Sequence, residues 1–434
     1  MKRTFILVLV LAMLPLLNAS AQVLTWMNYA NNQEREIFEE LISDFEESHP
    51  GVTIKFLSVE QSQFAAKINA AFACNEPPDI FYVGPENVRF YVDKKRLLNL
   101  SPYVQSFQSR QGVDFNDLYP NAVDKYRYDG NILGKGDIWA LPKDLGPFAL
   151  AYNKDLLRQA GIGSLSPSKA LTFDEFLEIC KKTTKDTNGD GKPDQFGTGL
   201  NRFYSLIQFI WGNGADYLDE TKTKVTVTDK KFIEALQFWC DLPAKYRVAP
   251  NAEEEKEKDP YFRWMEGSLA FFPAAPWDLI AFRNLPFDYD LIPWPVGNEN
   301  MKTATWLGSV GYGVSSKSKH PELAAEFVLY LSAYRSTMEK MTDLDMQVPT
   351  LQSLAGRYIN KGGKPENREE YIRIIKETGR SWPEQYTYNN SWYFKFFSEL
   401  QLVIDGKESA DSYCKRMAPK MQRLLDRACK KQKS

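Results

Sequence analysis

Histidine is scarce in this sequence, which has only two histidines among 434 residues. Both of them, His49 and His320, directly precede a proline in a polar segment. A serine–histidine triad and a multi-histidine zinc site each depend on histidines that the fold brings to one place. Both classes of site are therefore almost excluded, and any catalysis would have to use carboxylates or cysteine.

Cysteine and net positive charge are also low. The five cysteines form no C-x-x-C pair and are too few for a disulfide framework in a chain of this length. The formal net charge is −2, whereas binding to a nucleic acid requires a basic surface. The segment Gly212–Gly214 lacks the lysine and the helix-opening spacing of a phosphate-binding loop. We therefore expect no nucleic-acid partner and no organic cofactor.

Apolar runs long enough to span a membrane are missing as well. The run Phe5–Leu17 follows two basic residues and precedes Ala19–Ala21, which is a small-x-small cleavage signal. We expect residues 1–21 to be a signal peptide that is cleaved after export. Gln22 then follows the cut, where a bacterial lipoprotein would carry a cysteine. The sequence therefore predicts a free periplasmic or secreted protein.

The rest of the chain alternates apolar strands with amphipathic helices. The first predicted elements are strand, helix, strand, helix and strand, at Val23–Met27, Gln33–Ser48, Val52–Val59, Phe64–Ala73 and Asp79–Val83. This order predicts an α/β protein with a parallel sheet between two layers of helices. Ligands bind beyond the carboxyl ends of such strands, so the loops Asn28–Asn32 and Val83–Asn87 are expected to face one cleft. The chain is longer than a single hydrophobic core usually supports, which predicts two domains.

The most specific local motif is the loop Asp186–Asp194, with the sequence DTNGDGKPD. It matches the first half of an EF-hand loop, with oxygen ligands at positions 1, 3, 5 and 9, a carbonyl at 7 and glycine at 6. Gly197 replaces the bidentate glutamate of position 12, so Gln195 or water would have to complete the coordination. We expect a structural calcium ion, and a metal-free turn is the alternative. The expected ligands are Asp186, Asn188, Asp190, Lys192, Asp194 and Gln195.

Aromatic residues make up 14% of the chain, and several lie near predicted strand ends. Rigid aromatic planes stack on the apolar face of a sugar ring, while carboxylates and amides bind its hydroxyls. Core packing is the commoner role of any single aromatic, and we expect it for Trp239 on the apolar face of a helix. Trp277, in a loop after a strand, is the best candidate for exposure in a cleft. The other candidates are Tyr29, Tyr82, Tyr204, Trp211 and Trp306.

Eight short motifs follow one another along the chain: Phe45–Val52 (FEESHPGV), Pro78–Ile80 (PDI), Leu150–Leu157 (LAYNKDLL), Leu171–Phe176 (LTFDEF), Trp211–Gly214 (WGNG), Met265–Phe271 (MEGSLAF), Ser316–Glu322 (SKSKHPE) and Val348–Thr350 (VPT). Together they resemble the bacterial extracellular solute-binding proteins of carbohydrate ATP-binding-cassette importers, the family that includes maltose-binding protein. The resemblance runs through essentially the whole chain after the signal peptide. The calcium-like loop also resembles one that some members carry after the same helix.

The resemblance implies a two-lobed periplasmic-binding-protein fold, type II-like, whose lobes close around a sugar by hinge bending. The N-terminal lobe is then expected at residues 22–143 and 292–342, and the C-terminal lobe at residues 144–291 and 343–434. Hinge crossings are expected near Asp144–Phe148, Leu291–Pro293 and Thr342–Gln347. The implied partner is the membrane permease of the importer, which recognises the closed form, and we expect a monomer.

The resemblance also implies a set of ligand-binding residues, carried over motif by motif. They are Asn28, Tyr29, Glu86, Asp144, Asn201, Tyr204, Trp277, Trp306, Tyr388 and Trp392. Val83 stands where the maltose binders are expected to have a tryptophan, so the resemblance identifies an oligosaccharide binder without naming the sugar.

Two other functions are open at this stage. A secreted glycosidase needs two carboxylates about 5–9.5 Å apart, and Glu86 and Asp144 are acidic residues in suitable loops. A binding protein for a charged solute, such as glycerol phosphate or a polyamine, would line its cleft with arginines or with carboxylates in place of aromatics. The expected function is non-catalytic sugar binding.

Overall fold

In the computed structural model, residues 21–111 and 113–429 are described. The expected signal peptide, residues 1–21, lies outside the described residues except for Ala21. Among the helices that are described, none combines the length and the apolar character needed to cross a membrane.

The strands form two main sheets and two small ones. The first main sheet has the order β2-β1-β3-β13-β6 and the second the order β11-β8-β10-β9; the small sheets are β14-β12-β7 and β4-β5. In chain order the strands are β1 Gln22–Asn28, β2 Val52–Ser58, β3 Ile80–Val83, β4 Arg127–Tyr128, β5 Asp137–Ile138, β6 Leu141–Pro142, β7 Gly146–Pro147, β8 Ala149–Asn153, β9 Phe196–Thr198, β10 Leu269–Ala274, β11 Tyr289–Ile292, β12 Thr305–Gly308, β13 Gly311–Val314 and β14 Gly379–Arg380.

Helices cover both main sheets. Their bounds are α1 Asn32–Ser48, α2 Gln61–Ala73, α3 Val88–Asp93, α4 Ser101–Gln111, α5 Pro120–Asp124, α6 Lys154–Gln159, α7 Phe173–Thr183, α8 Leu206–Gly212, α9 Lys230–Ala244, α10 Ala252–Glu257, α11 Pro260–Met265, α12 Leu279–Phe282, α13 Pro321–Ala333, α14 Arg335–Leu344, α15 Ala355–Ile359, α16 Glu369–Arg373, α17 Ser391–Phe397, α18 Gln401–Ile404 and α19 Ala410–Ala428. Short 3₁₀ turns at Pro85–Asn87, Pro276–Asp278 and Pro383–Tyr386 border the site described below.

Lobe one is built on the five-stranded sheet. The predicted order of its first five elements is confirmed, and β1 pairs in parallel with both β2 and β3. Helix α1 begins at a capping box, in which Asn31 accepts a hydrogen bond from the backbone of Glu34, and it buries Phe38, Leu41 and Phe45 against the sheet. Since the carboxyl ends of β1 and β3 lie on one edge, the loops after both strands start there.

Lobe two is built on the four-stranded sheet and a second large core. Helix α7 begins at another capping box, between Thr172 and Glu175. Trp239 is 2% exposed inside this core, which confirms the core position expected for it. Helix α19 packs on α9 and α17 and buries its apolar face, including Met417 and Met421. The two-lobed α/β fold expected from the resemblance is therefore confirmed.

The three-stranded sheet β14-β12-β7 lies where the chain passes between the lobes, and we call it the hinge sheet. The first passage leads from β6 in lobe one through β7 to β8 in lobe two. The second leads from β12 through Ser309 and Val310 to β13 in lobe one.

The second passage lies later in the chain than the crossing expected at Leu291–Pro293. The segment after β11 stays with lobe two, because Trp294 is buried in its core and donates its indole hydrogen to the Phe148 carbonyl at 2.8 Å. The third passage is also later than Thr342–Gln347, since Leu354 still packs in the lobe-one core, whereas Tyr358 packs beside Tyr289 of β11. In both places buried apolar side chains keep the chain packed on the lobe that it is leaving: lobe two at Trp294 and lobe one at Leu354.

Candidate functional site

Five aromatic rings of lobe two and the hinge sheet form one connected surface, which we call the aromatic platform. Its members are Phe148, Tyr204, Trp277, Trp306 and Trp382. The rings of Trp306 and Trp382 stack with their centroids 4.4 Å apart and their planes at 10°. Tyr204 stacks on Trp382 at 5.7 Å and on Phe148 at 5.1 Å. Trp277 meets Trp306 edge to face at 6.2 Å, and it is 42% exposed.

The hinge sheet positions the two most prominent tryptophans of the platform. The backbone N–H of Trp306 donates to the side-chain oxygen of Gln208 at 3.0 Å. Gly146 and Gly308 pair with each other across β7 and β12. A Cβ atom at Gly146 would lie 2.6 Å from the Trp277 ring, and one at Gly308 would lie 2.8 Å from the Trp306 ring. Both glycines are therefore required for the rings to approach the backbone this closely.

Lobe one contributes Tyr29, which follows β1. Its ring meets those of Tyr82 and Phe64 edge to face at 5.0 and 5.3 Å. Burial, reinforced by the nearby negative charge of Asp144, raises the pKa of Tyr29 to about 12, so its hydroxyl remains a hydrogen-bond donor at neutral pH. The neighbouring Asn28 is fully buried, and within the described residues its carboxamide has no hydrogen-bond partner.

Three carboxylates near these aromatic residues have raised pKa values. Asp278, next to Trp277, accepts a hydrogen bond from the Ala275 backbone at 3.1 Å, and burial raises its pKa to about 7. Burial raises the pKa of Glu384 to about 7 as well, and the charge of Glu86 adds to the shift. Glu86 is accessible to solvent, yet the protein around its carboxylate raises its pKa by desolvation, as expected for a side chain inside a cleft.

Asp144 lies at the first passage between the lobes, and both of its carboxylate oxygens are engaged by the protein. One accepts the backbone N–H of Val310 at 2.8 Å, and the other lies 2.9 Å from the Lys143 ammonium. The side chain expected to bind sugar hydroxyls therefore connects two hinge passages.

A cavity of about 420 Å³ also opens between the lobes. Pro85 and Lys125 line it from lobe one, and Trp211, Arg380 and Pro383 line it from lobe two. The Lys125 ammonium donates to the Ser381 hydroxyl at 3.0 Å, across the gap between the lobes. Burial lowers the pKa of Lys125 to about 8, against the attraction of Glu86.

The structure brings Tyr204, Trp277 and Trp306 together in the platform, and Tyr29 lies close enough to Asp144 and Glu86 for their charges to raise its pKa. Three other expected residues have different surroundings. Asn201 is exposed, and its side-chain oxygen accepts from the backbones of Phe203 and Tyr204, so it caps the turn before α8. Trp392 is fully buried in the lobe-two core and donates to Thr387 at 2.9 Å. Tyr388 packs on an arginine of lobe one.

Residues absent from the expected set are Phe148, Trp382, Asp278 and Glu384. Asp278 directly follows Trp277, so the same loop after a strand could have identified it. Trp382 and Glu384 lie in an irregular segment without periodicity or motif, and Phe148 reads as part of a buried strand. Sequence patterning carries no signal for these three.

The loop of the expected calcium site is a tight exposed turn. Both oxygens of Asp186 accept backbone N–H groups, from Gly189 at 2.7 Å and Gly191 at 2.8 Å, and both glycines have positive φ. Among the described residues, no three His, Cys, Asp or Glu side chains come close enough to hold a metal ion. The available donors are nevertheless all hard oxygens when the Asn188 amide and the Lys192 carbonyl are included, and this donor set fits calcium.

Comparisons with known proteins agree with this geometry. The profile described as "Bacterial extracellular solute-binding protein" matches residues 29–335. An arabinooligosaccharide-binding protein of Halalkalibacterium halodurans is 26% identical over 250 residues, which are 53% of this chain and 52% of that protein. A maltodextrin-binding protein of Bacillus subtilis is 21% identical over 68% of this chain and 66% of its own length. The chain thus spans about half to two thirds of the length of these curated relatives.

Solved structures share the fold at low sequence identity. A substrate-binding protein of Listeria monocytogenes in complex with cycloalternan superposes with a TM-score of 0.78, at 20% identity, over 94% of this chain and all of that chain. The GacH receptor of Streptomyces glaucescens, solved without ligand and with acarbose, superposes with a TM-score of 0.74, at 20% identity, over 94% of this chain and 99% of its own. Since the family profile covers well over half of the chain, the protein belongs to the bacterial extracellular solute-binding proteins.

Proposed function

We propose that this protein binds an oligosaccharide between its two lobes and delivers it to the permease of an ATP-binding-cassette importer. The observation that carries the proposal is the aromatic platform, which offers stacked and partly exposed rings beside carboxylates. This combination suits the apolar faces and the hydroxyl rims of sugar rings. The names of the relatives, which include binders of arabinooligosaccharides and maltodextrins, point to the same class of ligand.

The proposal is tested by titrating the mature protein with arabino-, malto- and galacto-oligosaccharides while tryptophan fluorescence is recorded. Trp277 and Trp306 are expected to report binding, since both belong to the platform. A saturable change that disappears in Trp306→Ala supports the proposal. Trp239→Phe is a matched control, because that ring lies in the core of lobe two. If no oligosaccharide changes the fluorescence, the proposal fails.

We further propose that the protein does not turn over its ligand. Asp144 is held by Lys143 and Val310, so it is not free to act as a nucleophile or a base. After prolonged incubation with saturating oligosaccharide, chromatography is expected to recover the sugar unchanged. New reducing ends in the wild type that are missing in Asp278→Asn would establish a glycosidase.

The cellular setting is part of the same proposal. We propose export to the periplasm as a monomer after cleavage following Ala21, in keeping with the apolar run and the small-x-small signal at the N-terminus. N-terminal sequencing of the protein from a periplasmic extract is expected to begin at Gln22. Size-exclusion chromatography with light scattering is expected to give the mass of one chain.

We also propose that Asp186–Asp194 holds a structural calcium ion. Binding to the folded state alone raises stability by about 2.7 kcal/mol at a calcium concentration 100 times the dissociation constant. Excess calcium is therefore expected to raise the melting temperature relative to EGTA, and Asp190→Ala is expected to abolish the rise. Asp219→Ala is the matched control, since Asp219 accepts backbone hydrogen bonds in another exposed turn. Equal melting temperatures in calcium and in EGTA would contradict the proposal.

A further inference from the structure

Arg89 of helix α3 connects the two lobes through residues that do not belong to the aromatic platform. One guanidinium nitrogen donates to the carbonyl of Tyr386, in the segment that follows the hinge sheet, at 3.2 Å. Another donates to the carbonyl of Asn131, within lobe one, at 3.2 Å. The second bond holds the guanidinium in place, and the first crosses between the lobes.

Two tyrosine rings, one from each lobe, enclose the same guanidinium. Its carbon lies 4.7 Å from the centroid of the Tyr388 ring and 5.6 Å from that of Tyr128. The hydroxyls of these two tyrosines are 3.3 Å apart. An arginine held against aromatic faces in this way gains a cation–π attraction in addition to its hydrogen bonds.

Both sides of this contact are fixed to their own lobes. Tyr128 is fully buried in the lobe-one core. The backbone N–H of Tyr388 donates to the Ala428 carbonyl at the end of α19, whose apolar face forms part of the lobe-two core. A movement of one lobe away from the other must therefore separate Arg89 from Tyr388.

We propose that Arg89 and Tyr388 form an interlobe latch, a pair of positioning residues that stabilises the closed arrangement of the lobes. The contacts of Arg89 with Tyr386, Asn131 and the two tyrosine rings involve no member of the platform. The latch therefore sets how tightly the protein binds every ligand but not which ligand it prefers. The proposal rests on the proposed sugar binding, since closure is the step that it controls.

The physical basis is the dependence of apparent affinity on the closed population. The apparent dissociation constant is the intrinsic constant divided by the fraction of molecules in the competent state. Because the latch consists only of contacts within the protein, its loss lowers that fraction by the same factor for all ligands. A residue that touches the sugar would instead change the affinities of different sugars by different factors.

The first experiment measures dissociation constants for two oligosaccharides of different length or linkage, by calorimetry, in the wild type and in Arg89→Ala. We expect both constants to rise by about tenfold with an unchanged ratio. Arg423→Ala, at an exposed position of α19, is the matched control and is expected to bind like the wild type. Arg89→Lys keeps the charge but loses the planar stacking and is expected to give an intermediate rise.

The second experiment needs no sugar, so its outcome is independent of the proposed function. Small-angle scattering of the ligand-free protein is expected to give a larger radius of gyration for Arg89→Ala than for the wild type. Tyr388→Leu removes the other half of the latch from lobe two and is expected to have the same effect. The double variant is expected to expand by less than the sum of the two single effects, because both single variants already lose the Arg89–Tyr388 contact.

Three results would overturn the latch. The first is an unchanged radius of gyration in both single variants at an unchanged melting temperature. The second is a loss of affinity for one sugar and not for the other, which would make Arg89 a ligand contact. The third is additive effects in the double variant. If the wild type binds no sugar while Arg89→Ala still expands, the latch stands and the proposed function fails.

Discussion

At the scale of single residues, Asp278 is the clearest case of a side chain whose surroundings change its chemistry. It follows the exposed Trp277, and its carboxylate accepts a hydrogen bond from the backbone N–H of Ala275. Burial raises its pKa from 3.8 to about 7. Folding thus holds a proton that the unfolded chain releases at lower pH, so the stability this group contributes is present below about pH 4 and is lost as the pH rises towards 7.

Asp278→Asn is therefore expected to change how stability depends on pH. The amide cannot ionise, so the variant avoids the cost of burying a charge above pH 7. We expect the free energy of unfolding of the variant, relative to that of the wild type, to be about 2 to 4 kcal/mol higher at pH 8 than at pH 4, which means a relatively more stable variant at pH 8. Urea denaturation at the two pH values measures this difference. Asp411→Asn, an exposed control on α19, is expected to show no such change, and an equal response of both variants would contradict the assignment.

Residue patterns identify some tryptophans of the platform and miss others. Trp277 and Trp306 were expected in the cleft because they lie beside predicted strand ends, and both belong to the platform. Their neighbour Trp382 stacks directly on Trp306 but comes from a segment almost eighty residues later in the chain. Trp392 was also expected in the cleft, but it is buried in the core of lobe two. Sequence offers no rule for which of these two tryptophans joins the platform and which joins the core, because tertiary contacts decide it.

At the scale of elements, the hinge sheet sets the position of the platform through its glycines. Gly308→Ala is expected to displace the Trp306 ring, since its Cβ would lie 2.8 Å from that ring. Overpacking of this kind costs about 1–3 kcal/mol of stability. We also expect the affinity for oligosaccharide to fall by about tenfold, or about 1.4 kcal/mol. Calorimetry and thermal melting measure the two effects.

Gly356→Ala is the control for this substitution. It lies in α15, and a Cβ there has no heavy atom within 4 Å. Alanine favours a helix over glycine, so this variant is expected to be more stable by about 0.5 to 1 kcal/mol, with unchanged affinity. Normal sugar binding by Gly308→Ala would show that the ring does not need its present position.

Elements with strong local signals were predictable and the hinge sheet was not. The periodicity of α1 and its stop at His49–Gly51 gave bounds within a residue of Asn32–Ser48, since Gly51 adopts the positive φ that ends such a segment. Strands β7 and β14 are two residues long. No periodicity exists in two residues, so their pairing with β12 depends on the two lobes that hold them.

At the scale of the whole molecule, one buried ammonium, that of Lys143, links the first two passages between the lobes to the segment that precedes the third. The ammonium lies 2.9 Å from Asp144 at the first passage and 3.1 Å from Gln347, ahead of the third. Asp144 in turn accepts from Val310 at the second passage. A further contact at 2.9 Å joins Lys143 to Glu34 of helix α1.

Sequence predicted two lobes and a hinge, but the crossings lie later in the chain than expected, because apolar packing near Trp294 and Leu354 extends each lobe.

Lys143→Met is expected to destabilise the molecule strongly. Burial acts to lower the pKa of Lys143, but the carboxylates of Asp144 and Glu34 outweigh it and raise the pKa, so the ammonium is charged throughout the physiological range. Its removal leaves two carboxylates near the hinge without their cation, which costs about 3–5 kcal/mol for a buried pair. Lys340→Met removes an ammonium that also contacts two carboxylates, Glu40 and Asp44, but at the surface.

Exposed pairs of this kind contribute about 0–1 kcal/mol, so the two methionine variants separate the hinge contact from a general effect of charge. Urea denaturation should give a large loss for Lys143→Met and a small one for Lys340→Met. Because Lys143 joins the passages and not the interior of either lobe, we also expect its loss to reduce the cooperativity between the lobes, which would be seen as a broader transition. Equal losses in the two variants would mean that the ammonium is only one charge among many, and that packing alone holds the hinge.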